Sequence, residues 1–409
     1  MVRKFFANLG PGLVTGAADD DPSGISTYSM AGARFGYTPL WTALVSFPLM
    51  AAVQLMCARL GVVTGQGLAG AVRRRFSPRV LWCSCGLLVV ANIINVAADL
   101  GGMGEVTSMI SGVTPLFWTP LYAVFILSLL FWTSYKLIAR IFKWLTLVLF
   151  AYVAAAFLAK PDWSAVLAAT LVPHVSFTRE SMSILVAILG TTISPYLLFW
   201  QAAHEVEEKK SAGTIDKDAN KRELRHVSTD VLTGMLFSNV IMYFIILTTA
   251  ATLHAHGVID IDTARQAAEA LRPMAGSGAY WLFALGVIGT GMLGVPVLAG
   301  SCAYALSEAS LWRATLDQPP HRAPGFYSVI GVAMVIGLAL NYLKLNVVQM
   351  LFWTAVINGL LAPPLILLTV LLTSDPKVMG PHVNSRLLRW LGWATFMVMG
   401  AAAVGLFVA

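Results

Sequence analysis

The chain has 409 residues, of which 57% are hydrophobic and only 11% charged, and its mean hydropathy is +0.74. Soluble globular chains carry about 25% charged residues, so the composition excludes that class and specifies a polytopic membrane protein. The formal charge of +7 indicates no nucleic-acid partner, because the basic residues are spread over short loops, where they read as membrane topology.

The first element is interrupted. Between about residues 9 and 35 an apolar run is broken by Asp19-Asp20-Asp21-Pro22-Ser23-Gly24. Proline removes a backbone donor and glycine loosens the helix, so the freed carbonyls must face a cavity or an ion rather than lipid. Carboxylates at that depth mark a functional site; the alternative is a cytoplasmic loop before a short helix. Arg3 and Lys4 precede the run with no cleavage-site pattern, so the first span is expected to be retained.

Further apolar segments fall at about 38–60, 80–109, 116–135, 138–160, 181–205, 227–253, 276–310, 324–341, 346–372 and 388–408, most matching the roughly 20 residues a spanning helix needs. The expected fold is therefore an all-α polytopic membrane protein with about eleven transmembrane helices in a single domain over residues 1–409. With the amino terminus inside, 21 of the 27 Lys and Arg residues lie on the inner side, which is the positive-inside bias. The expected setting is a bacterial-type inner (plasma) membrane, with the amino terminus cytoplasmic and the carboxyl terminus external. The polar loop from Glu205 to Arg225 is then an internal connection.

In the third span Asn92, Asn95 and Asp99 recur at helical spacing on one face. They line a water-filled or proton path, or they form an interhelical hydrogen-bond network. The sixth span carries a second interruption, Gly190-Thr191-Thr192-Ile193-Ser194-Pro195-Tyr196. Alone it reads as a proline kink relieved by Ser194 or Thr192. Paired with Asp21-Pro22 it points to a binding site between two structural repeats. Each half holds an odd number of spans, so the halves, about 9–160 and 181–372, are inserted upside down relative to each other, with about 388–408 appended.

Other features are bland. Cys57, Cys83, Cys85 and Cys302 sit in apolar context without a CxxC pair and read as small buried hydrophobes. His204 and Glu205 read as interfacial, and His254 and His256 as solvated. No HExxH, GxSxG or P-loop motif is present, so neither catalysis nor a bound cofactor is expected. An amino-acid carrier of similar build is a rival reading, but Asp19 to Asp21 would repel a carboxylate substrate.

Gly10-Pro11-Gly12, Asp21-Pro22-Ser23-Gly24, Ser194-Pro195-Tyr196 and the run Thr373-Ser374-Asp375-Pro376-Lys377-Val378-Met379-Gly380, followed by Val383-Asn384 and Arg389-Trp390-Leu391, resemble the Nramp family of divalent-metal transporters. The likeness covers nearly the whole chain. It implies the LeuT-type fold, in which two unwound helices, the first and the sixth, hold the ion between a bundle and a scaffold. Family members read Asp-Pro-Gly-Asn in the first helix and Met-Pro-His in the sixth. Here Asp21 is kept, while Gly24, Ser194 and Tyr196 replace the asparagine, methionine and histidine. The third span reads Asp99-Leu100-Gly101-Gly102 where proton-coupled members carry Asp-Leu-Ala-Glu. These departures resemble the Nramp-related magnesium transporter branch.

The chemistry runs the same way. A thioether favours transition metals, whereas carboxylate, hydroxyl, carbonyl and water suit magnesium, calcium and manganese. Gly24 and Ser194 are small, and magnesium tends to keep several waters, so a hydrated ion is expected to fit between them. The expected ligand set is Asp21 as charged anchor, Ser194 and Tyr196 through hydroxyls, Thr191 through its carbonyl, and Asn358 in the tenth span, for which helix packing is an equal reading. Asp19 and Asp20 either concentrate cations at an entrance or face water at the end of a half-helix. The expected partners are the divalent ion and the bilayer, with no obligate protein partner. The expected activity is inward carriage of magnesium, with manganese accepted; proton-coupled manganese or iron symport is the alternative.

Overall fold

The structure is a computed structural model that describes residues 11–133, 137, 147–211, 221–316, 318–343 and 345–409. Gly10, Arg3, Lys4, Lys136, Arg140, Lys143, Lys217, Lys344 and the first part of the fifth expected span lie outside the described residues. Within them every regular element is helical. The main helices are α1 (Pro11–Asp19), α2 (Pro22–Phe35), α3 (Trp41–Thr64), α4 (Leu68–Arg75), α5 (Pro78–Ser111), α6 (Pro115–Trp132), α7 (Ala151–Leu158), α8 (Trp163–Leu171), α9 (Arg179–Thr192), α10 (Pro195–Ser211), α11 (Lys221–Thr252), α12 (Ala279–Ser310), α13 (Pro324–Leu340), α14 (Val347–Ser374) and α15 (Arg386–Val408).

Nine stretches among the described residues are long and apolar enough to cross a membrane. The interrupted first span is a tenth expected crossing, built from α1 and α2, each too short to cross alone. The described part of the fifth is the shorter apolar stretch Leu147–Leu158. Burial separates the centre from the rim. In the Arg179–Lys210 span, α9 and α10 together, 89% of the most apolar window is buried, against 22% in Pro115–Trp132 and in Arg386–Val408. The helices α6 and α15 thus turn most of their apolar surface outward, where lipid is the matching solvent.

Both interruptions restart on proline at the first helical turn, Pro22 in α2 and Pro195 in α10. A proline there loses a donor that has no helical partner in any case, and its fixed φ suits the helix start. The backbone leaves helical geometry just before it, at Asp21 (φ −65°, ψ 172°) and at Ile193 (φ −124°, ψ 54°).

Small residues let these central helices close on their neighbours. A Cβ at Gly16 of α1 would sit 2.2 Å from the carbonyl oxygen of Gly234 in α11, and one at Gly190 of α9 would sit 2.1 Å from that of Ala355 in α14. Polar contacts fix the same packing. The Gly12 amide donates to Asp230 Oδ2 at 2.6 Å, and the Thr15 hydroxyl donates to Gln201 Oε1 of α10 at 2.6 Å. Gln201 in turn donates to Glu205 at 2.8 Å, and Glu205 is buried. That corrects the interfacial reading of Glu205: α10 runs on past it to Ser211, and the glutamine supplies the partner that burial demands. Cys57, Cys85 and Cys302 are buried and free as expected, but Cys83 is exposed on α5. His254 and His256 are exposed.

Candidate metal centre

Asp21 does two jobs at once. As the residue before α2 it caps the helix, with Oδ1 accepting from the Gly24 amide at 2.7 Å, the usual role of an aspartate at that position. Its other oxygen, Oδ2, faces α10, where the Tyr196 hydroxyl lies 3.2 Å away and also 3.0 Å from the Ala18 carbonyl oxygen. The two interrupted helices therefore meet through Tyr196 and Asp21. Asp21 is 2% exposed and Tyr196 is fully buried, so the junction is closed to solvent on both sides.

Asp99 of α5 approaches the same junction. A point one bond from Gly294 of α12 lies 3.2 Å from Asp21 Cβ and 3.6 Å from Asp99 Oδ2. A side chain at 294 would fill the space between the two acids. Among the described residues no group donates a hydrogen bond of ordinary geometry to either oxygen of Asp99, although the residue is fully buried. None of the ion pairs among the described residues involves Asp19, Asp20, Asp21 or Asp99. A buried carboxylate without a basic partner must be neutralised by a proton or a cation. Among the described residues no three His, Cys, Asp or Glu side chains are drawn into a metal cage.

The remaining expected ligands are placed differently. The Ser194 hydroxyl donates back to the carbonyl oxygens of Thr191 at 2.7 Å and Gly190 at 2.9 Å. It satisfies carbonyls freed where α9 stops, and the Thr191 carbonyl is an acceptor within that local closure. Asn358 is committed to Asn95: each amide donates to the other, at 3.0 and 3.1 Å. That is the packing role, a reciprocal amide pair between α5 and α14. Asn92 likewise donates to the Leu298 carbonyl at 2.9 Å, so the polar stripe of α5 divides into two packing amides and one unpartnered acid. Gly24 leaves no open space in this conformation, since a Cβ there would meet the Thr191 hydroxyl at 3.0 Å and the Asp19 carbonyl oxygen at 3.3 Å. The room expected for a hydrated ion is closed.

Asp19 and Asp20 are neither solvated nor at an entrance. Both are fully buried, and one hydroxyl, Ser238 of α11, donates to Asp19 Oδ2 at 2.6 Å and reaches Asp20 Oδ1 at 3.2 Å. Ser238 escaped sequence reasoning because a single serine in an apolar helix carries no pattern. The same holds for Gln201, whose position four residues before Glu205 was the one available signal.

Residues 12–409 match the family model described as "Natural resistance-associated macrophage protein-like". A "Divalent metal cation transporter MntH" from Caldanaerobacter subterraneus is 25% identical over 401 residues, covering 96% of this chain and 90% of the relative. Among solved structures, a manganese transporter from Eremococcus coleocola in complex with an aromatic bis-isothiourea compound superposes with a TM-score of 0.78 at 22% identity, covering 98% of this chain and 85% of that one. Mhp1, a nucleobase-cation-symport-1 family transporter in a closed conformation, superposes with a TM-score of 0.62 at 14% identity, covering 98% and 89%. At these identities the structures establish the fold, the LeuT-type arrangement with interrupted first and sixth spans.

Proposed function

The chain belongs to the natural resistance-associated macrophage protein-like (Nramp) family, and from that premise we propose that it carries a divalent metal cation across the membrane by alternating access through the α1–α2 break. The supporting observation is Asp21: buried, without a basic partner among the described residues, and shared between the restart of α2 and Tyr196 of α10. A carboxylate so placed gains from a cation and is disturbed by its departure. That couples occupancy to the packing of both interrupted helices. In this reading the residues from α1 to α7 and from α9 to α14 are inverted halves, the amino terminus is cytoplasmic and the ion moves inward. The test is uptake by liposomes of a panel of magnesium, manganese, calcium, cadmium and a neutral amino acid; uptake of the amino acid alone would replace this reading with that of an amino-acid carrier.

Magnesium, with manganese accepted, is the ion that suits the donors. The expected donors are oxygen throughout, with Asp21 and Tyr196 meeting at the junction and Ser194 and Thr191 hydrogen-bonded within the α9 closure, and hard ions prefer oxygen. Replacing Ser194 by methionine adds a thioether. We expect cadmium binding to tighten by roughly tenfold, about 1.4 kcal/mol, with magnesium transport reduced. Ser194→Leu is the control for bulk, since it also removes the hydroxyl from the α9 closure. Equal cadmium affinities in the two variants would show that softness at this position does not select the ion.

Proton-coupled symport is the second reading, favoured by Asp99, a buried acid that accepts no hydrogen bond of ordinary geometry among the described residues. Against it stand Gly102 and Tyr196, which do not titrate near neutral pH. A membrane potential supplies about 2.3 kcal/mol per elementary charge per 100 mV, so a divalent ion gains about 4.6 kcal/mol without any proton.

A further inference from the structure

A cavity opens on the face that the proposed topology puts in the cytoplasm. Its volume is about 280 Å³, and it lies between the turn after α3, the helix α4, the inner end of α10 and the turn after α12. None of its lining residues belongs to the α1–α2 break. Three of the four elements each bring a basic side chain to it: Arg73 from α4, Lys210 from α10 and Arg313 from the turn after α12. Arg73 is half-buried and the other two are exposed.

Two acids also line the cavity, and both are committed to backbone amides. Glu308 accepts from Gly67 at 2.8 Å and from Gly70 at 2.9 Å, which fixes the start of α4, and Glu207 accepts from Leu316 at 2.7 Å. Arg73 and Lys210 are within electrostatic reach of Glu308. None of the three bases, however, takes part in the ion pairs found among the described residues. Three positive charges against two negative leave the lining with one positive charge, even with both acids ionised. The Gln66 side-chain oxygen is buried at the same cavity and accepts no hydrogen bond of ordinary geometry among the described residues. It suits a hydroxyl donor.

The rim is apolar. The helix α12 closes at Leu311 in the left-handed region (φ 61°), uncommon outside glycine, and the chain then carries Trp312 and Arg313 to the cavity. Leu311 is 75% exposed and Trp312 52%. An exposed indole beside basic groups marks a membrane–water interface, where tryptophan sits at headgroup level.

We propose that this cavity binds the headgroup of an anionic phospholipid that bears hydroxyls, with the phosphodiester against Arg73, Lys210 and Arg313 and the acyl chains passing over Leu311 and Trp312. A phosphodiester carries one negative charge, which matches the one positive charge of the lining. A zwitterionic headgroup leaves that charge uncompensated. Basic pockets between membrane helices on the cytoplasmic side take acidic headgroups through the same attraction. The bound lipid ties the inner end of α10 to α4 and to the turn after α12, and so braces the second interrupted span.

This inference is independent of the transport reading, because lipid binding is measured without metal. The test is native mass spectrometry of the full-length protein in uncharged detergent, titrated with phosphatidylglycerol and, separately, with phosphatidylethanolamine. Wild type is expected to retain one phosphatidylglycerol and to bind it roughly tenfold more tightly than phosphatidylethanolamine. Arg73→Gln with Arg313→Gln should weaken phosphatidylglycerol binding by roughly thirtyfold, the scale for two basic residues at an anionic headgroup. Arg79→Gln with Arg389→Gln removes the same charge from exposed positions that do not line the cavity, and it should leave binding unchanged. Equal affinity of wild type for the two lipids, or equal loss in the two double variants, overturns the proposal. Displacement of phosphatidylglycerol by inorganic phosphate at matched concentration would assign the basic groups to a free anion and overturn the lipid site. The wild-type preference decides the matter even where a variant fails to fold.

Discussion

Replacing Asp21 by alanine is expected to reduce divalent-cation uptake in liposomes by roughly a hundredfold or more, the scale set by about 3 kcal/mol for an uncompensated buried partner. Alanine also removes the helix cap on Gly24, worth about 1 kcal/mol, so the variant loses some stability as well. Asp21→Asn separates the two roles. Asparagine caps a helix as well as aspartate does, with its amide nitrogen then donating to the Tyr196 hydroxyl, which keeps the Ala18 carbonyl as its acceptor, but it carries no charge. We expect the asparagine variant to fold and melt like wild type and to transport as poorly as the alanine variant. Restored uptake in Asp21→Asn would show that Asp21 serves as a cap alone.

The second large effect is expected at Gly190. A Cβ there would lie 2.1 Å from the Ala355 carbonyl oxygen and 2.3 Å from the Gly359 amide nitrogen. Both are backbone atoms of α14, so no side-chain rotation relieves the clash. Gly190→Ala must push α9 away from α14 at the level of the second break, at a cost of roughly 3 kcal/mol. Thermal unfolding in detergent should move to lower temperature, and uptake should fall with it. Gly86→Ala is the matched control, because nothing lies within 4 Å of its Cβ position, and it should change neither property. An unshifted melting curve for Gly190→Ala would mean that α9 and α14 are not packed this closely in the protein.

Much of the architecture is legible in the sequence because lipid allows so few solutions. Apolar runs of spanning length must be helices, and proline with acids or hydroxyls inside such a run must be an interruption, which is what Asp21-Pro22 and Ser194-Pro195 become. Periodicity also placed Asn92, Asn95 and Asp99 on one face of α5. It could not say what each would meet. Asn95 and Asn358 satisfy one another across two helices 263 residues apart in sequence, and no local pattern in either helix encodes that pairing. Ser194 was expected to face an ion, but the cheapest partner for its hydroxyl is the carbonyl row freed by its own break. Asp19 and Asp20 were legible as unusual, yet their environment depends on Ser238, a lone hydroxyl in an apolar stretch. The close approaches at Gly16, Gly190 and Gly294 are equally invisible in a chain with 34 glycines, since only the fold distinguishes a packed glycine from a loose one.

The measurement that tests the central claim most directly is manganese or magnesium uptake into liposomes carrying an internal pH indicator, with the membrane potential set by a potassium gradient and ionophore. The account predicts uptake that rises as the interior is made more negative, that is lost in Asp21→Asn, and that leaves internal pH unchanged. Metal-dependent acidification of the interior that persists when the potential is clamped at zero would contradict it and establish proton-coupled symport in its place.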